Sequence, residues 1–234
     1  SDIAMNEKTQ PLKKGRRESF SDRAYWELKR RILENELPIG QQYMEQELAE
    51  FLDMSRTPIR EALIRLANEG LVEVRPRHGM RVKPVSLEDM REICQVLTSL
   101  ESTAAALAAS RSLPEEAIFG LRQAVKDMDH ALEQNDLNNW AQADERFHRL
   151  LVECSGNQRL KALVGTFIDQ SHRFRMLTLR LRPKPVASNL DHRAVLEAIV
   201  NGDAEAARRL HRKHRERSGR MLVTLLEHHG LNNI

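Results

Sequence analysis

The stretch SRTPIREAL, residues 55–63, carries the signals that decide the fold of the N-terminal region. Pro58 fits the first turn of a helix, where its missing N–H leaves no hydrogen bond unmade. Ser55 or Thr57 supplies a hydroxyl that can cap this helix. The pattern therefore predicts a helix that runs from about residue 56 to residue 68.

Two arginines of this stretch indicate a contact with nucleic acid. Arg56 and Arg60 lie four residues apart, on one face and near the N-terminal end of the helix. Ile59 and Leu63 face inward and leave both arginines free. In helix-turn-helix proteins this end of the helix enters the major groove, where an arginine donates two hydrogen bonds to guanine. Thr57 can contact a phosphate or a thymine methyl group.

The elements around this helix complete a winged helix-turn-helix. Three helices are followed by two strands and a turn, all within residues 19–85, which is the layout of that fold. The predicted elements are helices over about 21–35 with Ser21 as the cap, 45–52 and 56–68, and strands over about 71–74 and 80–85.

The turn between the two strands is basic. Its positive side chains are opposed only by Glu73, and a basic wing suits the backbone and minor groove of a duplex. The alternative is that Arg56 and Arg60 are ordinary surface residues paired with Glu61 and Glu69; the basic wing favours DNA binding over it. The basic residues of the wing are Arg75, Arg77, His78, Arg81 and Lys83.

Residues 86–234 show helical patterns only. Ser86 can cap the first helix, whose first turn holds Glu88 and Asp89. Aromatic residues make up 4% of the chain, and this low share favours helix over sheet. We therefore predict a mainly α protein with an all-α six-helix bundle at its C-terminal end. Its helices span about 86–110, 114–134, 137–154, 157–181, 187–201 and 203–229.

Composition and charge limit the cellular setting. Hydrophobic residues make up 41% and charged residues 30%, which fits a globular chain with a net charge of +3. Residues 1–18 predict a flexible basic tail that either touches phosphate or is merely solvated. No apolar run approaches the roughly 18 residues that span a bilayer, and no signal peptide is evident. We expect a cytoplasmic protein without a membrane partner, with Cys94 and Cys154 as reduced core thiols.

The C-terminal region also contains a candidate set of metal ligands. Asp144 and His148 lie at positions i and i+4 of one predicted helix, so they project from the same face. His192 and His214 lie in the last two helices. An aspartate and three histidines suit Zn²⁺, Ni²⁺ or Mn²⁺; the alternative is a hydrogen-bonded buried pair. The other histidines are mostly expected at surface or helix-end positions, with a reservation for His211 because it lies one turn before His214; they are His130, His172, His211, His228 and His229.

The N-terminal region resembles a known family. Residues 40–82, GQQYMEQELAEFLDMSRTPIREALIRLANEGLVEVRPRHGMRV, look like the DNA-binding domain of the GntR family of bacterial regulators. In that family the arginines that match Arg56 and Arg60 contact bases, and some members add an arginine where this chain has Gln46. The matching wing His-Gly reaches the minor groove. The residues expected to contact operator DNA are Ser55, Arg56, Thr57, Arg60, Arg75, Arg77, His78 and Gly79.

The C-terminal region resembles the FCD ligand-binding domain of the FadR subfamily, and six helices suit its VanR-like group. The resemblance implies that Asp144, His148, His192 and His214 bind a divalent metal ion. Many members carry an arginine where this chain has Leu97. The matching features are Leu100-Glu101 with Ala104 to Ala109, Asp144-x-x-Phe147-His148, Ser155-Gly156-Asn157, His192-x-x-x-Leu196-x-Ala198-Ile199, and Gly202-Asp203 to Ala207.

An effector follows from the metal site. Four protein ligands leave open positions on an octahedral ion, and the carboxylate of a small organic acid can fill them, with an arginine as a second clamp. Arg173 and Arg175 are the candidates; the alternative for each is a solvated surface arginine. We expect a homodimer with two recognition helices about 34 Å apart on palindromic DNA. Relief of repression by a metabolite is the default expectation.

Two other functions remain open at this point. One is a metalloenzyme fused to a DNA-binding module, but His-Glu-x-x-His is missing from the sequence and Glu145 and Glu153 are predicted on other helix faces. The other is a purely structural metal, with a protein partner as the signal. The sequence is therefore interpreted as a metabolite-responsive regulator and not as an enzyme.

Overall fold

The structure is a computed structural model, and it describes residues 18–84 and 86–229. The predicted basic tail, apart from residue 18, lies outside the described residues. The strands are β1 Gln42–Tyr43, β2 Val72–Arg75 and β3 Gly79–Val82. The helices are α1 Phe20–Leu33, α2 Glu45–Phe51, α3 Arg56–Asn68, α4 Leu87–Ala109, α5 Glu115–Glu133, α6 Leu137–Cys154, α7 Gln158–Thr178, α8 Val186–Val200 and α9 Ala204–His228.

Helix α3 organises the N-terminal unit because one of its faces is apolar. Ile59, Leu63 and Leu66 are buried and share one core with Leu28 and Ile32 of α1. The strands form an antiparallel sheet in the order β1-β3-β2, in which β2 and β3 make the wing. The predicted winged helix-turn-helix is confirmed, and α3 has the limits that the sequence predicts.

The third strand is a feature that the sequence pattern did not reveal. β1 has only two residues, Gln42 opposite Arg81 and Tyr43 opposite Met80 of β3. A two-residue strand is too short to show the alternation from which strands are predicted. The wing is therefore the outer part of a three-stranded sheet and not an isolated hairpin.

The cap of α1 also differs from the prediction. The hydroxyl of Ser19 accepts a hydrogen bond from the backbone N–H of Asp22 at 3.0 Å, which satisfies one of the free donors of the first turn. Ser21 lies inside the helix and donates to Glu61 of α3. The prediction of Ser21 as the cap is wrong by two residues.

The C-terminal unit is the predicted six-helix bundle, α4 to α9. Ser86 caps α4 as predicted, because its hydroxyl accepts from the N–H of Asp89 at 3.0 Å while the Asp89 carboxylate accepts from the N–H of Ser86 at 3.1 Å. Helices α4 and α9 pack along each other over the most extensive helix–helix contact. Together with α6 and α8 they surround a polar cluster inside the bundle, as detailed below.

Helix α7 joins the two units. Lys29 of α1 lies 2.7 Å from the carboxylate of Glu69 and 2.7 Å from that of Asp169 on α7. The side chain of Gln170 donates to the carbonyl of Glu69 at 3.1 Å, and Arg173 donates to the carbonyl of Lys83 at 3.4 Å. Helix α7 therefore contacts the N-terminal unit through three of its side chains.

The hydropathy of the helices and the state of the two cysteines can be compared with the predictions from the sequence. None of the helices in residues 18–84 and 86–229 is both long and apolar enough to cross a membrane. Cys94 and Cys154 are both free, and Cys154 is buried.

Gly79 tests the packing of the wing. It has φ +74°, and an added Cβ would overlap the carbonyl oxygen of Tyr43 and lie 2.8 Å from Cα of Met44. Because the strained backbone and the overlap add, we expect Gly79→Ala to lower the free energy of unfolding by about 2 kcal/mol or more. Urea denaturation followed by circular dichroism measures the change. As a matched control, Gly120→Ala on α5 should change it by less than about 1 kcal/mol; equal effects would contradict the account.

Candidate DNA interface and metal centre

The recognition helix presents its two arginines to solvent. The side chains of Arg56 and Arg60 are 57% and 59% exposed, while Ile59 and Leu63 behind them are buried. Ser55 at the N-cap and Thr57 in the first turn are exposed as well. The four expected contact residues of this helix therefore lie together on one open surface.

Both arginines share a carboxylate that the sequence did not single out. Glu45 of α2 lies 3.2 Å from Arg56 and 2.8 Å from Arg60, and hydrogen bonds from Arg60 and Arg56 hold the pKa of Glu45 below its usual range. The alternative partner Glu69 instead accepts from Tyr25 at 2.6 Å. The two guanidinium groups are more than half exposed although the Glu45 side chain is only 16% exposed, so solvent weakens both ion pairs.

The wing presents the second group of expected DNA contacts. Arg75, Arg77 and His78 are exposed, and Arg75 lies 3.1 Å from Glu73. The backbone of Arg77 has φ +67°, in the left-handed region. The side-chain amide of Gln42 donates to the carbonyl of His78 at 2.6 Å, so β1 holds the wing tip in place.

The four predicted metal ligands converge inside the bundle. Ring nitrogens of His148 on α6, His192 on α8 and His214 on α9 all lie within 4.8 Å of one another. Oδ1 of Asp144 lies 3.4 Å from Nε2 of His192 and 3.8 Å from Nε2 of His148. All four side chains are buried. Residues that are 66 positions apart in the sequence, His148 and His214, thus lie close together.

The protonation states suit metal binding. Burial lowers the pKa of His192 to about 3, although Asp144 opposes this, and burial lowers the pKa of His214 well below its usual range. Burial alone would raise the pKa of Asp144, but Arg175 together with His148 and His192 holds it below its usual range. At neutral pH, His192 and His214 therefore offer neutral imidazoles and Asp144 a carboxylate, which are the forms that bind metal ions.

The donor spacing also fits one cation. Nε2 of His192 and Nε2 of His148 lie 3.3 Å apart. Two nitrogens bound at about 2.0–2.1 Å to one ion are separated by about 3.0–3.4 Å. Because His148 donates its Nδ1 proton to Glu101 at 2.7 Å, its Nε2 carries a free lone pair. The residues present fit a divalent cation, and the donor set does not select among Zn²⁺, Ni²⁺ and Mn²⁺.

Glu101 and His211 are members of the cluster that sequence reasoning missed. Oε2 of Glu101, a fully buried residue of α4, lies 2.7 Å from Nδ1 of His148 and 3.0 Å from Nε2 of His211, and Oε1 lies 3.0 Å from Arg215. Burial would raise the pKa of Glu101, but Arg215 and His148 hold it well below the usual range. Glu101 therefore orients His148 as carboxylates behind metal-bound histidines do.

Two of the histidines expected at the surface are buried. His211 is fully buried, and its position one turn before His214 was the only signal of this in the sequence. His172 is also buried, 2.8 Å from Glu145. The prediction of surface positions for these two residues is wrong, because packing between helices decides which face of α7 and α9 turns inward.

The two candidate effector arginines lie in different places. Nη1 of Arg175 donates to Oδ2 of Asp144 at 2.7 Å, so Arg175 belongs to the cluster. Arg173 is buried at the junction between the two units, where it donates to the carbonyl of Lys83. Only Arg175 is positioned to hold a group that binds beside Asp144.

Two family profiles match the chain in the order of its two units. Residues 20–82 match "Bacterial regulatory proteins, gntR family" and residues 92–217 match "FCD domain". In structure, the chain is similar to Escherichia coli McbR/YncC, with a TM-score of 0.77 and 22% identity over 88% of this chain and 98% of that one. This likeness shows that the fold is shared.

Curated relatives carry regulatory names. The chain is 40% identical over 159 residues to an uncharacterized HTH-type transcriptional regulator in the TAR-I ttuE-ttuC' intergenic region of Agrobacterium vitis. The aligned residues cover 65% of this chain and 93% of the relative. It is 26% identical to the HTH-type transcriptional repressor RspR of Escherichia coli K12, over 80% of this chain and 82% of that protein. The names of these relatives are those of regulators and not of enzymes.

The recognition helix generates the first functional prediction. Arg56→Ala or Arg60→Ala should lower affinity for an operator selected in vitro with the wild-type protein, by at least about tenfold each, because a bidentate contact to a base contributes about 1–3 kcal/mol. Fluorescence anisotropy measures the affinity at fixed salt. Arg209→Ala, an exposed arginine of α9, is the control and should bind as the wild type does. Wild-type affinity in both test variants would remove them from the interface.

The metal cluster generates the second functional prediction. His192→Ala should lower the amount of Zn²⁺, Ni²⁺ or Mn²⁺ that stays with the protein after loading and desalting, because it removes a donor that the surrounding helices hold in place. Inductively coupled plasma mass spectrometry measures the metal per chain. His130→Ala, whose side chain is 74% exposed, should leave the metal content unchanged. Equal metal content in both variants would exclude His192 as a ligand.

Proposed function

We propose that the chain, which belongs to the GntR family and is a transcriptional regulator with an FCD domain, is a repressor that releases operator DNA when a small organic acid binds at a metal centre. The observation that carries this proposal is the convergence of Asp144, His148, His192 and His214 around one point, with Arg175 beside it. The named repressor RspR supports the sign of the regulation.

The residues have separate roles in this proposal. His148, His192, His214 and Asp144 would hold the divalent cation, and the cation would supply positive charge and open positions for a carboxylate. Arg175 would clamp the same acid with its planar fork of donors. Glu101 holds the ring of His148 in its orientation. These groups bind an anion, and the proposal assigns them no bond-making step.

The N-terminal unit would read the operator as one half of a symmetric dimer. Each protomer presents one recognition helix, and a palindromic site places two such helices about 34 Å apart, one helical turn of DNA. Arg56 and Arg60 would contact bases, and Arg75, Arg77 and His78 would contact the adjacent backbone and minor groove.

The path between the two sites is short. Helix α6 carries Asp144 and His148 toward the cluster, and its Arg149 lies 2.9 Å from Asp169 of α7. Asp169 in turn holds Lys29 of the N-terminal unit at 2.7 Å. An acid that draws on Arg175 would move α7 and disturb this contact. Such coupling needs only about 1–3 kcal/mol.

A structural metal is the second candidate function, and the complete burial of the donors favours it. A thermal-shift screen of small mono- and dicarboxylates and sugar acids, with metal and after chelation, separates the two. Sensing predicts that one acid raises the melting temperature only when metal is present, and that this acid releases operator DNA. A large drop on chelation with no response to any acid would support the structural role and contradict acid control.

A further inference from the structure

A small cavity beside the metal cluster is lined by three arginines from three parts of the chain. Arg175 of α7, Arg215 of α9 and Arg182 from the segment after α7 surround a space of about 20 Å³ between α4, α7 and α9. The side chains of Arg175 and Arg215 are only 11% and 10% exposed. A space of this size holds about one water molecule, so a larger ligand must displace the arginines that line it.

The three guanidinium groups are unequally neutralised. Arg175 is paired with Asp144 and Arg215 with Glu101. Arg182 has no carboxylate within ion-pairing distance among the described residues, and its guanidinium carbon lies 5.1 Å from the centroid of the Trp140 ring. Its Nε and Nη2 atoms, and Nη2 of Arg175, are buried without a hydrogen-bond partner in the described part of the chain.

The resulting charge balance is positive. Burial and the nearby Arg175 lower the pKa of Arg182 to about 10, with Asp144 opposing, so it remains charged at neutral pH. Three guanidinium groups therefore face two carboxylates, and a divalent cation at the cluster would add two further positive charges. Buried positive groups repel one another strongly when no anion lies between them. One carboxylate from an effector would leave this excess only partly neutralised.

We propose that the effector carries two acidic groups, one at the metal cluster with Arg175 and one held by Arg182 and Arg215 in the adjoining cavity. This inference rests on the proposed function and narrows it from an organic acid to a small diacid. The two acidic groups are close in such a ligand, since Arg175 lines both places. Dicarboxylates and phosphorylated monocarboxylates share the required chemistry.

A diacid would enter the cavity from the outer side of the bundle, where a surface groove adjoins it. The cavity shares Cys94, Arg215 and Gly219 with a surface groove of about 480 Å³ between α4 and α9, and that groove adds Arg212 and Arg220. Its arginines would attract a dianion from solution. The packing is close at this point, because an added Cβ at Gly219 would lie 3.3 Å from Cβ of Cys94. Entry of the acid therefore separates α4 from α9, which carry Glu101 and His214.

Isothermal titration calorimetry on the full-length, metal-loaded protein tests the inference. The probes are malonate, succinate, glutarate and 2-phosphoglycolate; each dicarboxylate is paired with its own monoamide, and 2-phosphoglycolate with glycolate. We expect one diacid to bind at least about tenfold more tightly than its singly charged partner, because its second acidic group accepts hydrogen bonds from charged guanidinium donors. Which probe wins distinguishes a dicarboxylate from a phosphorylated acid.

Variants of Arg182 complete the design. Arg182→Gln should lower the affinity for the diacid far more than the affinity for its singly charged partner, and Arg182→Lys should keep part of the preference. Arg180→Gln, an exposed arginine in the same segment, is the matched control and should keep the full preference. Thermal denaturation of each variant verifies that it is folded. If the glutamine variant is unfolded, the binding preference of the lysine variant is measured instead.

The outcomes separate this inference from the proposed function. Equal binding of diacids and their singly charged partners, with binding abolished by chelation, would overturn the diacid and leave acid control intact. A preference that survives in Arg182→Gln would overturn the assignment of Arg182. Failure of every probe to bind the metal-loaded protein would overturn both.

Discussion

The hydrogen bond between His148 and Glu101, 2.7 Å long and fully buried, is the contact on which the helical unit depends. Burying a carboxylate in a helix bundle is unfavourable unless its oxygens are hydrogen-bonded and its charge is balanced. Oε2 of Glu101 is hydrogen-bonded to His148 and His211, and the charge of the carboxylate is balanced by Arg215, 3.0 Å from Oε1. Since these partners come from α6 and α9, the contact fixes how those helices pack on α4. The same buried contacts therefore determine both the stability of the bundle and the geometry of the site.

Helix α7 contacts both units of the protein through different side chains. Toward the bundle it places Arg175 against Asp144, and toward the N-terminal unit it places Asp169 and Gln170 against α1 and the end of α3. These contacts lie within one helix of 21 residues, Gln158–Thr178. Arg173, buried at the carbonyl of Lys83, lies on the same path. Arg173 and Arg175 are therefore close in sequence but have different surroundings: Arg173 lies at the junction of the two units and Arg175 lies in the cluster.

The sequence predicts what local patterns control. Helix limits follow from caps and breakers, so α3 and the six helices of the bundle were predictable, and the i, i+4 spacing of Asp144 and His148 placed both on one face. Contacts that arise only from packing were not. Glu45 beside the recognition helix and Arg182 beside Trp140 give no periodic signal, because their partners lie far along the chain or on another element.

The two ends of the molecule use arginine in the same manner. Arg56 and Arg60 rest on Glu45, and Arg175 rests on Asp144. An anionic ligand must compete with an internal carboxylate in each case, which weakens binding of non-specific anions and leaves selectivity to ligands that make several contacts. At the exposed recognition helix salt screens this competition, whereas in the buried cluster it is hardly screened. In the described part of the chain Arg182 has no such carboxylate, so a bound acid would gain most of its affinity from a contact with Arg182.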